Sequence, residues 1–321
     1  MLLPRPRSVS KIATFTVIAA LCVTCLLLIH VWGLDDAGFR TLRARPLQPA
    51  ADDGLIPKKI WYKLGPKGLT NDTRAWTSSC IDGNSGYAHE FMTDESGDAW
   101  VAARFNASRP DIVASYLGLT IPILKADLLR YLLLAAEGGI WSDLDVSCAG
   151  VPMDSWVPEE YRAQAGLVVG WEFDVGWGEN IIRQFTSWLI MARPGSPHLW
   201  TVVDDIVRGI QDKTAEHSVT VAGLRLDMVG EVVDFTGPRR LTRGVLKSLA
   251  HTLNVTAIDH ANITHLVEPK LVGDVLILPG YAFAASANTY DEKLRDGLGP
   301  ELVKHHYAGT WKNKNGGEVA R

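Results

Sequence analysis

An α/β fold is what the sequence predicts, and three stretches carry that prediction. Residues 121–137 are a run of good helix formers with a proline near the start, and Gly138-Gly139 stops it. Directly after the glycines, Ile140-Trp141-Ser142-Asp143-Leu144-Asp145 reads as an extended segment whose side chains alternate between two faces. Towards the other end, Asp274-Val275-Leu276-Ile277-Leu278-Pro279 is a short apolar run closed by a proline, the form of a buried strand. Helix and strand periods in one chain of 321 residues point to helices layered on a sheet.

At the N-terminus, Ile12 to Val31 holds no formal charge, and its 20 residues match the length that spans a ~30 Å hydrocarbon core. The expected organisation is a cytoplasmic tail at 1–11, a transmembrane signal anchor at 12–31, a stem at 32–54 and a lumenal domain at 55–321. Arg5, Arg7 and Lys11 precede the anchor and Arg40, Arg43 and Arg45 follow it, so charge alone leaves the orientation open. The triplets beginning at Asn71, Asn106, Asn254 and Asn262 satisfy N-x-S/T and all follow the anchor, which favours a single-pass type II protein of the secretory pathway. Cys22 and Cys25 fall inside the anchor. Cys80 and Cys148 remain in the lumenal domain, as a disulfide or as two buried free thiols.

Within that domain the helix at 121–137 would bury Leu124, Leu128, Tyr131, Leu132 and Ala135, with Asp127, Arg130 and Glu137 on a neighbouring face. Gly166 to Val169 is strand-like. Arg183 to Arg193 reads as a helix ended by Pro194-Gly195. His198 to Ile210 reads as another, with Leu199, Val202, Val203, Ile206 and Ile210 as its buried stripe. Tyr281 and Phe283, just beyond the strand at 274–279, are expected core.

The chemistry concentrates at the paired aspartates. On an extended segment Asp143 and Asp145 would point the same way, with Trp141 beside them. Two like charges so placed repel unless a cation or protons lie between them. Oxygen donors suit Mg²⁺ or Mn²⁺, ions that commonly bridge to substrate phosphates. In open α/β sheets ligands bind beyond the carboxyl ends of strands, which is where this pair would sit. The plainer alternative is an Asp127–Arg130 surface pair next to an acidic turn. A net charge of −4 gives no reason to expect nucleic acid as a partner. Eleven tryptophans suit core and rim packing, and their faces also suit carbohydrate.

The order of these motifs resembles the sugar-binding region of glycosyltransferase family 32: D-x-x-R-Y-x-x-L from Asp127, then Gly138-Gly139-Ile140, then Asp143-x-Asp145. That family includes fungal initiation-specific α-1,6-mannosyltransferases and inositol phosphoceramide mannosyltransferases. Ile56 to Trp61 resembles its opening I-P-K-x-I-W strand. Ala75-Trp76 and the stretch from Tyr87 to Asp94 resemble its next landmarks. Thr236-Gly237-Pro238 resembles its T-G-P, and His305 to Trp311 its terminal H-x-x-x-G-S/T-W. The likeness spans about residues 55 to 312. Ala88-His89-Glu90 departs from the usual aromatic and acidic spacing after Tyr87.

The resemblance implies a GT-A-like nucleotide-sugar-binding α/β/α sandwich, with residues 55–321 as the catalytic domain of a Golgi membrane protein. It implies a metal-dependent retaining transferase that moves mannose from GDP-mannose to a glycan acceptor on glycoproteins, with Mn²⁺ (or Mg²⁺) as cofactor. The alternatives are transfer to an inositol phosphoceramide, a UDP-sugar donor, or a catalytically silent subunit of a transferase complex. For the metal it points to Asp143, Asp145 and His305, with His306 as second candidate. For the nucleotide sugar it points to Asp127, Arg130, Gly138, Gly139, Asp143 and Trp61, although Asp127 would equally serve to fix Arg130. Asp143 and Asp145 would carry catalysis, and Glu172 or Asp174 would help to bind the acceptor. Asp227 and Asp234 are further acids in range. No residue has a spacing that marks it as a covalent nucleophile.

Overall fold

The computed structural model describes residues 55–318, apart from 179 and 296. The expected tail, anchor and stem, with Cys22 and Cys25, lie outside the described residues. Among the described residues no helix is long and apolar enough to cross a membrane.

A mixed sheet of seven strands organises the domain: β1 (Lys59–Lys63), β2 (Ala88–Met92), β3 (Gly139–Ser142), β5 (Leu167–Gly170), β6 (Leu189–Ala192), β7 (Lys270–Val272) and β8 (Val275–Leu278). Their order is β2-β1-β3-β6-β5-β8-β7. β1 pairs parallel with both β2 and β3, and β5 parallel with β8, while β6 lies antiparallel between β3 and β5. The carboxyl ends of β1, β3, β5 and β8 therefore share one edge, and β6 enters the sheet from that edge. A second, two-stranded ladder joins β4 (Val146–Cys148) to β9 (Val303–His305).

Both faces of the sheet are covered. One apolar cluster packs the sheet against α2 (Asp94–Phe105), α3 (Pro110–Gly118), α4 (Pro122–Glu137), α5 (Pro197–His217) and α6 (Pro238–Thr252). The other gathers Ile60, Tyr62, Ile140, Trp156, Leu276, Phe283 and Val303, with Cys80 of α1 (Asn71–Asp82). Thr70 opens α1 and Thr93 opens α2, each through a reciprocal capping box that satisfies backbone N–H groups left free at a helix start.

α4 begins and ends where its proline and glycines place it, but it has no exposed face of the expected width. Every residue from Leu128 to Ala135 is buried. A helix enclosed on all sides is apolar all round, and Asp127 and Arg130 are buried in it, at 3% and 4% exposure. The surface pair considered from sequence is thus excluded. α5 follows its expected stripe and runs on to His217.

The helix expected at 183–193 is absent. Phe185 bridges to Trp171, and Leu189–Ala192 form β6. β6 is buried on both faces, so it shows no alternation, and an unbroken apolar run of this kind cannot be assigned to helix or strand by period alone. Its place between β3 and β5 decides the matter, because both neighbours hydrogen-bond to it.

Cys80 and Cys148 form a disulfide with their Cα atoms 4.9 Å apart. It ties α1 to β4, and Ser79 Oγ accepts from the Cys148 N–H alongside it. The bridge closes a 68-residue separation, for which chain entropy gives about 4 kcal/mol of stabilisation. Cys80→Ala/Cys148→Ala is therefore expected to melt about 10 °C lower by calorimetry, at roughly 2–4 °C per kcal/mol for a domain of this size. A melting point unchanged by the double substitution would refute the bridge as a stabilising element.

Candidate active site

The paired aspartates leave β3 at the carboxyl edge of the sheet, but not on one extended strand. β3 ends at Ser142, residues 144–145 turn, and β4 starts at Val146. The Val146 N–H donates to the Asp143 carbonyl and the Asp143 N–H to the Trp188 carbonyl, so the turn is fixed at both ends. The two carboxylates still act on each other, but each has its own counter-group.

Asp143 is held by Arg130. Nη2 of Arg130 lies 3.1 Å from Asp143 Oδ1, while Nη1 lies 2.7 Å from Asp127 Oδ1. One guanidinium thus spans two carboxylates, and its carbon sits 5.1 Å above the Trp141 ring. The Trp141 indole N–H donates to the same Asp143 oxygen at 2.6 Å. Asp127 is anchored in turn by the Thr236 hydroxyl at 2.8 Å, and the Tyr131 hydroxyl donates to the Thr236 carbonyl. The D-x-x-R-Y and T-G-P motifs, about 100 residues apart, therefore meet in one buried network whose outlet is Asp143. Asp127 serves Arg130 and Thr236. Removal from water pushes its carboxyl up, against the pull of Arg130. Removal from water likewise raises Asp143, helped by the charge of Asp145 and opposed by Arg130.

Asp145 is held from the far end of the chain. β9 pairs Val146 with His305, which sets His305 Nε2 3.4 Å from Asp145 Oδ1. The His306 N–H donates to the Asp145 carbonyl and the Ala308 N–H to its Oδ2. These contacts require the chain to double back at Tyr307, which adopts φ 49°, a left-handed conformation costly for a non-glycine residue. Together with His305 they hold Asp145 below the usual carboxylate range against the effect of burial. The two candidate histidines are now distinct. His305 faces the aspartates and stacks on Trp188 at 4.1 Å, whereas His306 turns to Ser147 and stacks on Trp76.

A divalent cation fits this donor set as an open site. Among the described residues, Asp143 Oδ2 has its nearest polar contact at 3.5 Å, from Arg130, Asp145 Oδ1 lies 3.4 Å from His305, and the buried Nδ1 of His305 has no hydrogen-bond partner. Among the described residues no three acidic, histidine or cysteine side chains form a complete metal cluster. Two carboxylates with one adjoining imidazole suit an ion that fills its shell with water and phosphate oxygens.

Glu172 joins the same edge just beyond β5. It is 5% exposed, its carboxylate accepts from the Gln184 side chain, and the charges of His305 and Lys312 act on it. Burial nonetheless pushes its carboxyl up to about 7. Asp174, two residues on, is a structural hub of its own loop. It accepts from the His265 N–H at 2.7 Å and pairs with Arg183 at 3.4 Å. Asp227 is exposed with Arg225, and Asp234 is held by Arg239 and Arg243.

Gly138 and Gly139 lie at the opposite end of the site's own strand, and Trp61, on β1 in register with Trp141, turns its indole back to them. The Trp61 indole donates to the Gly138 carbonyl at 2.8 Å and is buried. Gly138 and Gly139 have φ of 68° and 100°, and a Cβ on either would meet backbone atoms within 2.8 Å. They shape the entry to β3 at the edge away from Asp143. Trp188 and Tyr307 were not singled out from sequence. Trp188 lies inside the stretch that reads as a helix. Tyr307 sits within the His-His-Tyr run, where the motif itself was the available signal.

Two outcomes follow from this geometry. Arg130→Ala leaves the buried Asp127 and the half-buried Asp143 without their counter-charge, which costs about 3–5 kcal/mol. Arg130→Lys is expected to recover only part of that, since an ammonium lacks the planar fork. Urea unfolding of the pair reads both, and an Arg130→Ala protein as stable as the parent would refute the network. For Glu172, the folded pKa of about 7 stands above the ordinary value of 4.5. The folded state binds the proton more tightly, so this group's contribution is full below pH 4.5 and is lost as pH rises to about 7, by about 3 kcal/mol in all. Glu172→Gln is expected to flatten that part of the pH–stability curve between pH 4.5 and 7, as read by urea midpoints at pH 5 and pH 8.

Comparison with known proteins matches these features. Residues 70–163 fit the family described as "Glycosyltransferase sugar-binding region containing DXD motif". An initiation-specific α-1,6-mannosyltransferase of Schizosaccharomyces pombe is 35% identical over 271 residues, covering 80% of this chain and 64% of that protein. The Candida albicans protein of the same name is 28% identical, covering 83% of this chain and 74% of its own length. Inositol phosphoceramide mannosyltransferase 3 of S. pombe is 37% identical over 93 residues, 29% of this chain and 25% of that protein. Among solved structures, the PaToxG glycosyltransferase aligns with a TM-score of 0.43 at 17% identity, over 62% of this chain and 75% of that one. The D-x-x-R-Y, Gly-Gly and Asp-x-Asp elements all lie inside the matched region, so residues 70–163 carry the signature of that DXD-containing sugar-binding region.

Proposed function

We propose that the protein is a metal-dependent, retaining mannosyltransferase that moves mannose from GDP-mannose to a glycan acceptor on glycoproteins. The observation that carries the reading is the arrangement of Asp143 and Asp145, each pinned by its own counter-group, at the carboxyl edge of β3. The bound cation would supply charge neutralisation for the leaving diphosphate. Asp143 and Asp145 are the residues that would hold it, with His305 beside them. Arg130 orients Asp143 and keeps its lone pairs directed. Trp188 and Tyr307 pack against the His305 ring and hold its orientation. Glu172, largely protonated below pH 7, offers a hydrogen bond to an acceptor hydroxyl.

The relatives support the glycan acceptor over a sphingolipid one. The likeness to the glycan transferase of S. pombe extends over 271 residues, whereas that to its inositol phosphoceramide counterpart is confined to 93. The chain spans 64% of the first of these relatives. The uncharged run at 12–31 and four sequon asparagines that are each exposed are what support reading the chain as a single-pass type II protein of the Golgi with a lumenal domain.

The full chain in detergent, given Mn²⁺, GDP-mannose and a mannoside acceptor, is expected to release GDP. Asp143→Ala/Asp145→Ala and chelation by EDTA are each expected to lower that rate at least a hundredfold. Release from UDP-galactose in place of GDP-mannose would reassign the donor. Release that survives both the double substitution and EDTA would overturn the metal-dependent mechanism.

A further inference from the structure

Beyond Glu172 the loop that leaves β5 carries two aromatic rings. Phe173 meets Trp177 edge to face at 5.1 Å, and Trp177 is 43% exposed. That indole is not loose: its N–H donates to the Ala287 carbonyl. The loop beneath it is clamped to the same turn. Asn288 accepts from the N–H groups of Asp174 and Val175 and donates to the Glu172 carbonyl, while the Thr289 N–H donates to Val175. On the other side of the 285–287 turn stands Tyr307, 45% exposed, with its hydroxyl beside Ser286 and its ring 4.0 Å from His305. Two exposed rings thus adjoin one turn, held by hydrogen bonds and backbone geometry, and Tyr307 stands beside His305 within electrostatic reach of Glu172.

Large apolar side chains held rigid and exposed beside a polar site mark a surface that something covers. We propose that Trp177 and Tyr307, with Phe173 supporting Trp177, form a subsite on which a ring of the acceptor sugar stacks, Glu172 taking one of its hydroxyls. The inference rests on the transferase reading above and specifies which elements receive the acceptor. Aromatic faces match the apolar face of a pyranose, and a carboxyl group matches its hydroxyls. Charge favours a neutral ring over a phosphorylated headgroup: the loop carries Glu172 and Asp174, its own cation Arg183 is taken up by Asp174 at 3.4 Å, and the charges of His305 and Lys312 fall on Glu172.

The test is direct binding of mannobiose to the full chain in detergent, followed by saturation-transfer NMR and by tryptophan fluorescence. Trp177→Ala and Tyr307→Ala are each expected to weaken binding about tenfold, the upper range for one lost aromatic contact. Trp177→Phe, which keeps a planar face, is expected to stay within about threefold of the parent. If Trp177→Ala melts early, Trp177→Leu, apolar but not planar, takes its place with the same expectation. Parent-like binding by the folded alanine variants would overturn the subsite, as would a parent chain that shows no saturable binding of mannobiose. Loss of phosphatidylinositol-vesicle binding in Trp177→Ala, with mannobiose binding intact, would overturn it in favour of a membrane contact. GDP release is read separately, so a parent chain that turns over donor without binding mannobiose would sink the subsite and leave the transferase standing.

Discussion

A guanidinium cannot be buried alone, and the arrangement of this site follows from how Arg130 is paired. The side chain lies inside a helix enclosed on all sides, where an unpaired charge would cost several kcal/mol. Asp127 and Asp143 supply the compensation from two directions. Asp127, one turn back on α4, is locked by Thr236, so the pair also docks α4 against the segment that opens α6. Asp143 lies beyond the end of β3, so the same charge fixes the turn that presents the aspartates. Helix, sheet and turn share one electrostatic joint.

That joint also answers the repulsion within Asp-x-Asp. Asp143 is drawn towards Arg130, and Asp145 towards His305 and the backbone N–H of Ala308. Each carboxylate is thus pinned by a partner of its own. The second clamp depends on the chain's last strand. β9 reaches β4 antiparallel, and its neighbourhood is reinforced by the Cys80–Cys148 bridge and the stacking of Trp76 on His306. Asp145 is therefore positioned by residues distant in sequence and near in space, on a scaffold that α1 holds covalently.

Across the edge, burial does for Glu172 what pairing does for the aspartates. Gln184 binds one oxygen, the charges of His305 and Lys312 offset desolvation only in part, and the carboxyl keeps its proton to about neutrality. Asp174, with the same chemistry two residues away, is consumed by His265 and Arg183. The contrast shows how little a carboxylate's identity says about its role when its neighbours are unknown.

By itself the sequence determined whatever depends on near neighbours. Proline and glycines bound α4, the apolar run of β8 stops at its proline, and the paired aspartates follow a glycine turn, all legible because each signal lies within a few residues of its effect. Only the tertiary structure decided the rest. Leu189–Ala192 became a strand because β3 and β5 flank it, and nothing in its own period distinguishes that from a buried helix. Asp127 and Arg130 proved internal because Thr236 and the turn at Asp143, with Trp141, close over the face that periodicity leaves ambiguous. The two glycines fell at the far end of β3 because strand direction, which a motif does not encode, decides which end faces the site. His305 was separated from His306 by strand register, since adjacent residues on a strand face opposite ways. Local propensity acts over a turn or a strand, whereas the assignment of charges to partners is settled only when elements pack.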